Sequence, residues 1–188
     1  MKLIIMTKPT FFVEEDKILT ALFEMGLDHL HLCKPGSEPV YSERLLTLIP
    51  DEYYSHITVH DHFYLKDEFR LRGIHLSDGQ LEAPAGYRGN ISRTCQSLDV
   101  LKDARKRSHY VFLNLPMEGL IEASRRGLAD RKVYAMGGIG LDNISMVRSL
   151  GFGGVVVCSD LWNHFDIQGG VDYKELISHF EKLRKAVS

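Results

Sequence analysis

Eight short strand-like stretches mark out this chain, at residues 3–6, 29–33, 57–60, 74–76, 91–94, 110–113, 133–136 and 155–158. Seven of them lead, after a turn, into a stretch whose apolar residues recur at helical spacing, at 13–25, 40–49, 63–71, 98–106, 118–126, 142–150 and 173–187. The fully apolar run at 3–6 suits a strand covered on both faces, as in a parallel sheet flanked by helices. Eight such units predict a (β/α)8 TIM barrel with short loops. The fourth unit is the exception. Residues 77–90, with Gly79, Pro84, Gly86 and Gly89, read as a loop, so one helix is trimmed there. A doubly wound open sheet is the rival arrangement. It calls for a glycine-rich phosphate turn after its first strand, and Met6-Thr7-Lys8-Pro9-Thr10 is not one. Ser97 and Asp142 stand where caps for the helices at 98–106 and 142–150 are expected. No repeat or linker divides the chain, so residues 1–188 are read as a single domain.

Composition narrows the function. With 44% apolar and 26% charged residues and a net charge of −2, the chain has the profile of a soluble globule. It has no basic footprint for nucleic acid and no polybasic patch for a membrane. No apolar run reaches spanning length, and the first residues lack the features of a signal peptide. Cys33, Cys95 and Cys158 are scattered and form neither a disulfide framework nor a zinc-ligand spacing. A cytoplasmic enzyme acting on small molecules is expected. The aromatic-bearing segment 162–165 is expected to cover the barrel bottom, with a homodimer contact as the alternative.

In a barrel, the residues at the C-terminal ends of the strands converge on one mouth. Here those ends carry Thr7 and Lys8; His31, Cys33 and Lys34; His60, Asp61 and His62; His75, Ser77 and Asp78; Arg93, Thr94 and Cys95; Asn114; Gly137 and Gly138; and Ser159. So polar a set points to a ligand. Val133-Tyr-Ala-Met-Gly-Gly-Ile-Gly140 and Phe152-Gly-Gly-Val-Val-Val-Cys-Ser-Asp160 are two neighbouring strands ending in small residues. Bare amides at such ends form a place to hold a phosphate. His60 and His62 share a strand face and could ligate a metal with His31 or His75, as in a hydrolase barrel. Asp61 beside them suits a hard Mg2+ bridging phosphate oxygens better than zinc.

Taken together, the strand ends resemble thiamine-phosphate synthase and its TenI-like relatives over nearly the whole chain. The matching elements are His31-Leu-Cys-Lys-Pro35, His60-Asp-His62, Gly73-Ile-His-Leu76, Thr94-Cys-Gln-Ser97, Ala135-Met-Gly-Gly-Ile139 and Gly154-Val-Val-Val-Cys-Ser159. His31 leans toward the TenI-like branch. The resemblance implies a transferase that couples a pyrimidine-methyl pyrophosphate to thiazole phosphate and releases pyrophosphate, with Mg2+ and cations stabilising the departing anion. It assigns catalysis to Lys34, Asp61 and Cys95. The substrate contacts fall on His31, His60, His75, Arg93, Thr94, Gly137, Gly138 and Ser159, and Mg2+ on Asp61 and Asp78. The alternatives it implies are a TenI-like thiazole tautomerase working by proton transfer, with Cys95 or a mouth histidine as carrier, or a non-catalytic binder of the phosphorylated thiazole or thiamine. The sequence departs from the family at the signature arginine, here Cys33, and at the TenI histidine, here Gln96.

Overall fold

The computed structural model describes residues 1–80, 82–168 and 172–188. Eight parallel strands close into a barrel in sequence order, β1 paired with β8. They are β1 Lys2–Met6, β2 Leu30–Leu32, β3 Ile57–Val59, β4 Gly73–Leu76, β5 Asn90–Cys95, β6 Tyr110–Asn114, β7 Val133–Met136 and β8 Gly154–Val157. The helices are α1 Glu15–Glu24, α2 Pro39–Leu48, α3 Leu65–Glu68, α4 Leu101–Lys106, α5 Met117–Arg125, α6 Ile144–Ser149, α7 Ser159–Trp162 and α8 Lys174–Val187. A 3-10 helix, Asp51–His56, joins α2 to β3. This is the expected TIM barrel, and residues 82–90 contribute no helix. Among the described residues no helix is long and apolar enough to cross a membrane.

Strand alternation sorts the side chains into two cores. Outward residues such as Ile5, Leu30, Val59, Ile74 and Val155 pack against Leu19, Leu46, Leu120 and Phe180 of the surrounding helices. Inward residues Ile4, Met6, Tyr110, Phe112 and Val156 form a smaller cluster inside the barrel. The other half of the lumen is polar. His29, His31, Thr58, His60, His75 and Ser92, from β2 to β5 and their flanks, are all buried there. A barrel interior is usually filled by branched apolar residues, so this polar half needs its own account.

Three local expectations are corrected. Ser97 does not cap α4; Val100 stands at that position, with no side-chain cap. Asp142 does not cap α6 either. Asn143 takes the place, and its side chain instead accepts from the Gly140 amide and donates to the Gly138 carbonyl. The segment 162–165 lies toward the C-terminal end of the barrel rather than its bottom. Trp162 donates from Nε1 to the carbonyl of Met6, the last residue of β1, at 2.8 Å and packs edge-on to Phe12. The indole needs a buried acceptor, and the buried C-terminal end of β1 supplies one. Helix α3 is a single turn because His62 and Arg70 adopt φ of 54° and 55° on either side of it. That backbone cannot continue a right-handed helix.

Candidate active site at the barrel mouth

β7 runs into Gly137 and Gly138, with φ of 108° and 66°. A Cβ on Gly137 would lie 2.7 Å from the Leu115 carbonyl oxygen, so only glycine fits the close approach to the loop after β6. A Cβ on Gly138 would meet nothing within 4 Å, so this backbone faces open space. Across from it, β8 leads through Cys158 into Ser159, the first residue of α7, and Ser159 is exposed. The amides of Gly137, Gly138, Ile139, Ser159 and Asp160 donate to no protein group among the described residues. Unpaired amides grouped on two adjacent rims make an anion cradle.

Asp160 holds the two rims together. One of its oxygens accepts from the Leu141 amide at 3.3 Å and from His179 of α8 at 2.6 Å. Its other oxygen would be 2.3 Å from a Cβ on Gly140, which leaves room there for glycine alone. Neither residue stands out in the sequence, because the contact joins a helix more than a dozen residues away. Lys8, two residues past β1, is half-buried; burial raises the Cys158 thiol beside Ser159, and the charges of Lys8 and Lys34 act against that rise.

The other predicted residues divide. His31, His60, His75 and Thr94 gather on the lumen side. Lys34 does not reach the mouth as a free cation. Its ammonium lies 2.5 Å from Glu15, donates to the Thr10 carbonyl at 2.9 Å and sits over the Phe11 ring. Asp61 accepts from the Lys34 amide at 3.2 Å. Arg93 and Cys95 face away from the lumen, opposite in parity to Ser92 and Thr94. Arg93 donates to Ser108 at 2.9 Å, and Arg93 and Cys95 line a cavity of about 370 Å³ against α4 that also takes in Asp78 and Arg107. Burial pushes the Cys95 thiol up to about 11, so it is a poor proton carrier at neutral pH. Strand parity, applied to residues 92–95, would have separated these two faces in the sequence.

The lumen histidines are hydrogen-bonded throughout. His29 Nε2 lies 2.9 Å from Thr58 Oγ1 and 3.2 Å from Tyr110 Oη. The same phenol lies 2.7 Å from His31 Nε2, and His31 Nδ1 lies 2.8 Å from His60 Nε2. His75 is held separately by Ser92 and Thr94, each at 2.8 Å. Burial pulls all four imidazoles down, His29 and His60 to about 3, so they are neutral at physiological pH. His60 Nδ1 has no protein partner. It is also absent from the buried unpartnered atoms, of which Glu15 Oε2 is the one found among the described residues, so it is not fully sealed, and His60 stands just past the C-terminal end of β3, on the mouth side.

The histidine metal expectation does not fit this geometry. His62 turns away to the Ser37 carbonyl, 2.9 Å from its Nε2. The nitrogens of His31, His60 and His75 do lie within 4.8 Å of one another. However, the His60 and His75 rings stack at 4.1 Å and 18°, and lone pairs in two parallel ring planes cannot converge on one ion. For Mg2+, the sequence pairs Asp61 with Asp78. Asp78 lines the outer cavity against α4, a space that Asp61 does not line.

No family model matches the chain, and no curated protein matches it. Among solved structures it is similar to a thiamine phosphate pyrophosphorylase from Bacteroides thetaiotaomicron, with 50% identity, TM-score 0.92, and coverage of 99% of this chain and 97% of that one. A thiamine phosphate pyrophosphorylase from Pyrococcus furiosus shares 20% identity at TM-score 0.76, covering 99% and 95%. A 3-hexulose-6-phosphate synthase from Salmonella typhimurium shares 13% at TM-score 0.66, covering 100% and 98%. The last two show the barrel alone.

Proposed function

Because the chain belongs to the thiamine phosphate pyrophosphorylase (thiamine-phosphate synthase) family, we propose that it holds thiazole phosphate by its phosphate on the β7–β8 rim and couples it to a pyrimidine-methyl pyrophosphate. The carrying observation is the set of unpaired amides at Gly137, Gly138, Ile139, Ser159 and Asp160. Each charge-assisted bond to a phosphate oxygen contributes about 1.5–3 kcal/mol. Lys8 adds positive charge beside that rim. The apolar side of the lumen, with Met6, Phe112, Val156 and Met136, keeps water from the thiazole ring. Bound in this way, the ring nitrogen is held for attack on the pyrimidine methylene as pyrophosphate leaves. No step here runs through Mg2+; Asp61 and Asp78 are the carboxylates that the family resemblance would give it.

A second reading is favoured by the placement of the cations. Lys34 is tied to Glu15, and Arg93 lies outside the lumen, so the mouth has little to stabilise a departing pyrophosphate. On this reading the chain binds the same thiazole phosphate and moves a proton on it, with His60 Nδ1 at the mouth. Incubation with both precursors, with and without Mg2+, separates the two. Pyrophosphate release supports coupling. Binding without release, with solvent deuterium entering the thiazole, supports proton transfer.

A further inference from the structure

The polar half of the lumen forms one continuous path. From the mouth it runs His60 Nδ1, across the ring to Nε2, then His31 Nδ1, across to Nε2, then Tyr110 Oη, and then His29 Nε2. The three links measure 2.8, 2.7 and 3.2 Å. Beyond lies His29 Nδ1, which has no protein partner and is not a buried atom. His29 precedes β2 and feels the charges of Lys2, His56 and Arg72, all at the N-terminal end of the barrel. The path thus opens at both ends of the barrel.

We propose that His60, His31, Tyr110 and His29 form a proton relay through the barrel, with His60 Nδ1 as the group that gives a proton to, or takes one from, the ligand at the mouth. Every member can donate and accept. The relay has two polarities with the same number of protons. In the first, His60 carries its proton on Nδ1, His31 Nδ1–H donates to His60 Nε2, Tyr110 O–H donates to His31 Nε2, and His29 Nε2–H donates to Tyr110. In the second, His60 Nδ1 is bare, His60 Nε2–H donates to His31 Nδ1, His31 Nε2–H donates to Tyr110, Tyr110 O–H donates to His29 Nε2, and His29 carries its proton on Nδ1. Passing from first to second, one N–H bond breaks at the mouth as the ligand takes the proton. One N–H bond forms at His29 Nδ1 as water supplies a proton, and each intermediate proton shifts by one link. Passing back removes a proton from the ligand. No imidazolium and no tyrosinate forms. This matters because a desolvated imidazole that takes up a proton without releasing one is disfavoured. A single buried histidine here is a weak base, but a relay end is not limited in that way. His31, Tyr110 and His29 act through His60 and are positioning residues.

The inference deepens the second reading and rests on it for the identity of the ligand; the relay itself is measurable in the ligand-free chain. The test uses the full protein with 15N-labelled histidine, comparing wild type, Tyr110→Phe and Tyr134→Phe by ring-nitrogen NMR. Tyr134 stacks on Tyr110 at 5.1 Å and is the packing control; His75, held by Ser92 and Thr94, is the internal reference. Expected is tautomer averaging at His31 and His60 in wild type and Tyr134→Phe, and a single fixed His31 tautomer in Tyr110→Phe. A fixed His31 tautomer in wild type overturns the relay without recourse to any variant, as does averaging that survives in Tyr110→Phe. With thiazole phosphate in deuterated water, Tyr110→Phe should lower deuterium incorporation about a hundredfold at unchanged affinity. Equal incorporation in the two proteins, or none in wild type that binds the ester, overturns the role of His60. No binding by wild type defeats the phosphate reading instead, and the NMR then decides the relay alone.

Discussion

The Lys34 ammonium lies 2.5 Å from a carboxylate oxygen of Glu15, with the two side chains only 1% and 2% exposed. Lys34, the neighbour of the family's signature lysine position (here Pro35), is therefore sealed beneath the mouth against a partner from α1. Burial acts on both groups. It pushes Glu15 up to about 7 against the pull of Lys34, and it lowers Lys34 from its usual value. Glu15 Oε2 is left without a hydrogen bond.

One consequence concerns stability against pH. Between 4.5 and about 7 the folded chain keeps a proton on Glu15 that the unfolded chain has released. The folded state then binds more protons, so the Glu15 contribution falls as pH rises through that window. Urea unfolding of wild type and Glu15→Gln across it should show wild type losing stability relative to the variant. A difference that grows with pH would mean the ion pair outweighs burial. Lys34→Met should change this stability and leave phosphate-ester affinity alone.

Gly138→Ala tests the cradle. The methyl group meets nothing within 4 Å, but it must sit at φ 66° and over the open rim. The strain costs about 1–2 kcal/mol of stability. Affinity for thiazole phosphate should fall about tenfold or more as amide bonds to the phosphate are lost. Calorimetric titration gives the affinity, and unchanged binding would place the phosphate elsewhere.

Asp160→Ala should loosen the same rim from behind. It removes the acceptor of the Leu141 amide and the partner of His179. A stability loss of about 1–3 kcal/mol is expected, together with weaker ester binding, and Asp160→Asn should restore part of both because it keeps an acceptor oxygen. Thermal unfolding and titration of the three proteins check this. Ester affinity unaltered in Asp160→Ala would show that the rim needs no clamp.

Asp61→Asn separates structure from chemistry. The amide oxygen still accepts from the Lys34 backbone N–H, so the melting temperature should hold. If Asp61 takes part in coupling, pyrophosphate release should drop about a hundredfold. An unaffected rate would confine Asp61 to its hydrogen bond.

Much of this was legible along the chain. Apolar runs such as 110–113 and 133–136 announce strands buried on both faces, because burial selects for local apolarity. The glycines at 137 and 138 mark the rim, because a close backbone approach excludes a side chain there. The clustering of His31, His60 and His75 followed from their places on successive strands. Arg93 and Cys95 were read as mouth residues with Thr94, although neighbours on a strand point to opposite faces. The caps at Ser97 and Asp142 failed because each helix begins later than its propensity suggests.

The sequence by itself determined the barrel and its glycine-marked rim, since periodicity and glycine placement are local properties that survive in any arrangement of neighbours. Only the tertiary structure decided which charges are usable. It buried Lys34 against Glu15, turned Arg93 and Asp78 toward α4, and joined His29, His31, His60 and Tyr110 into one path. The reason is physical: whether a polar group is a ligand, a strut or a proton carrier depends on its partners and its solvation, and folding brings both from distant parts of the chain.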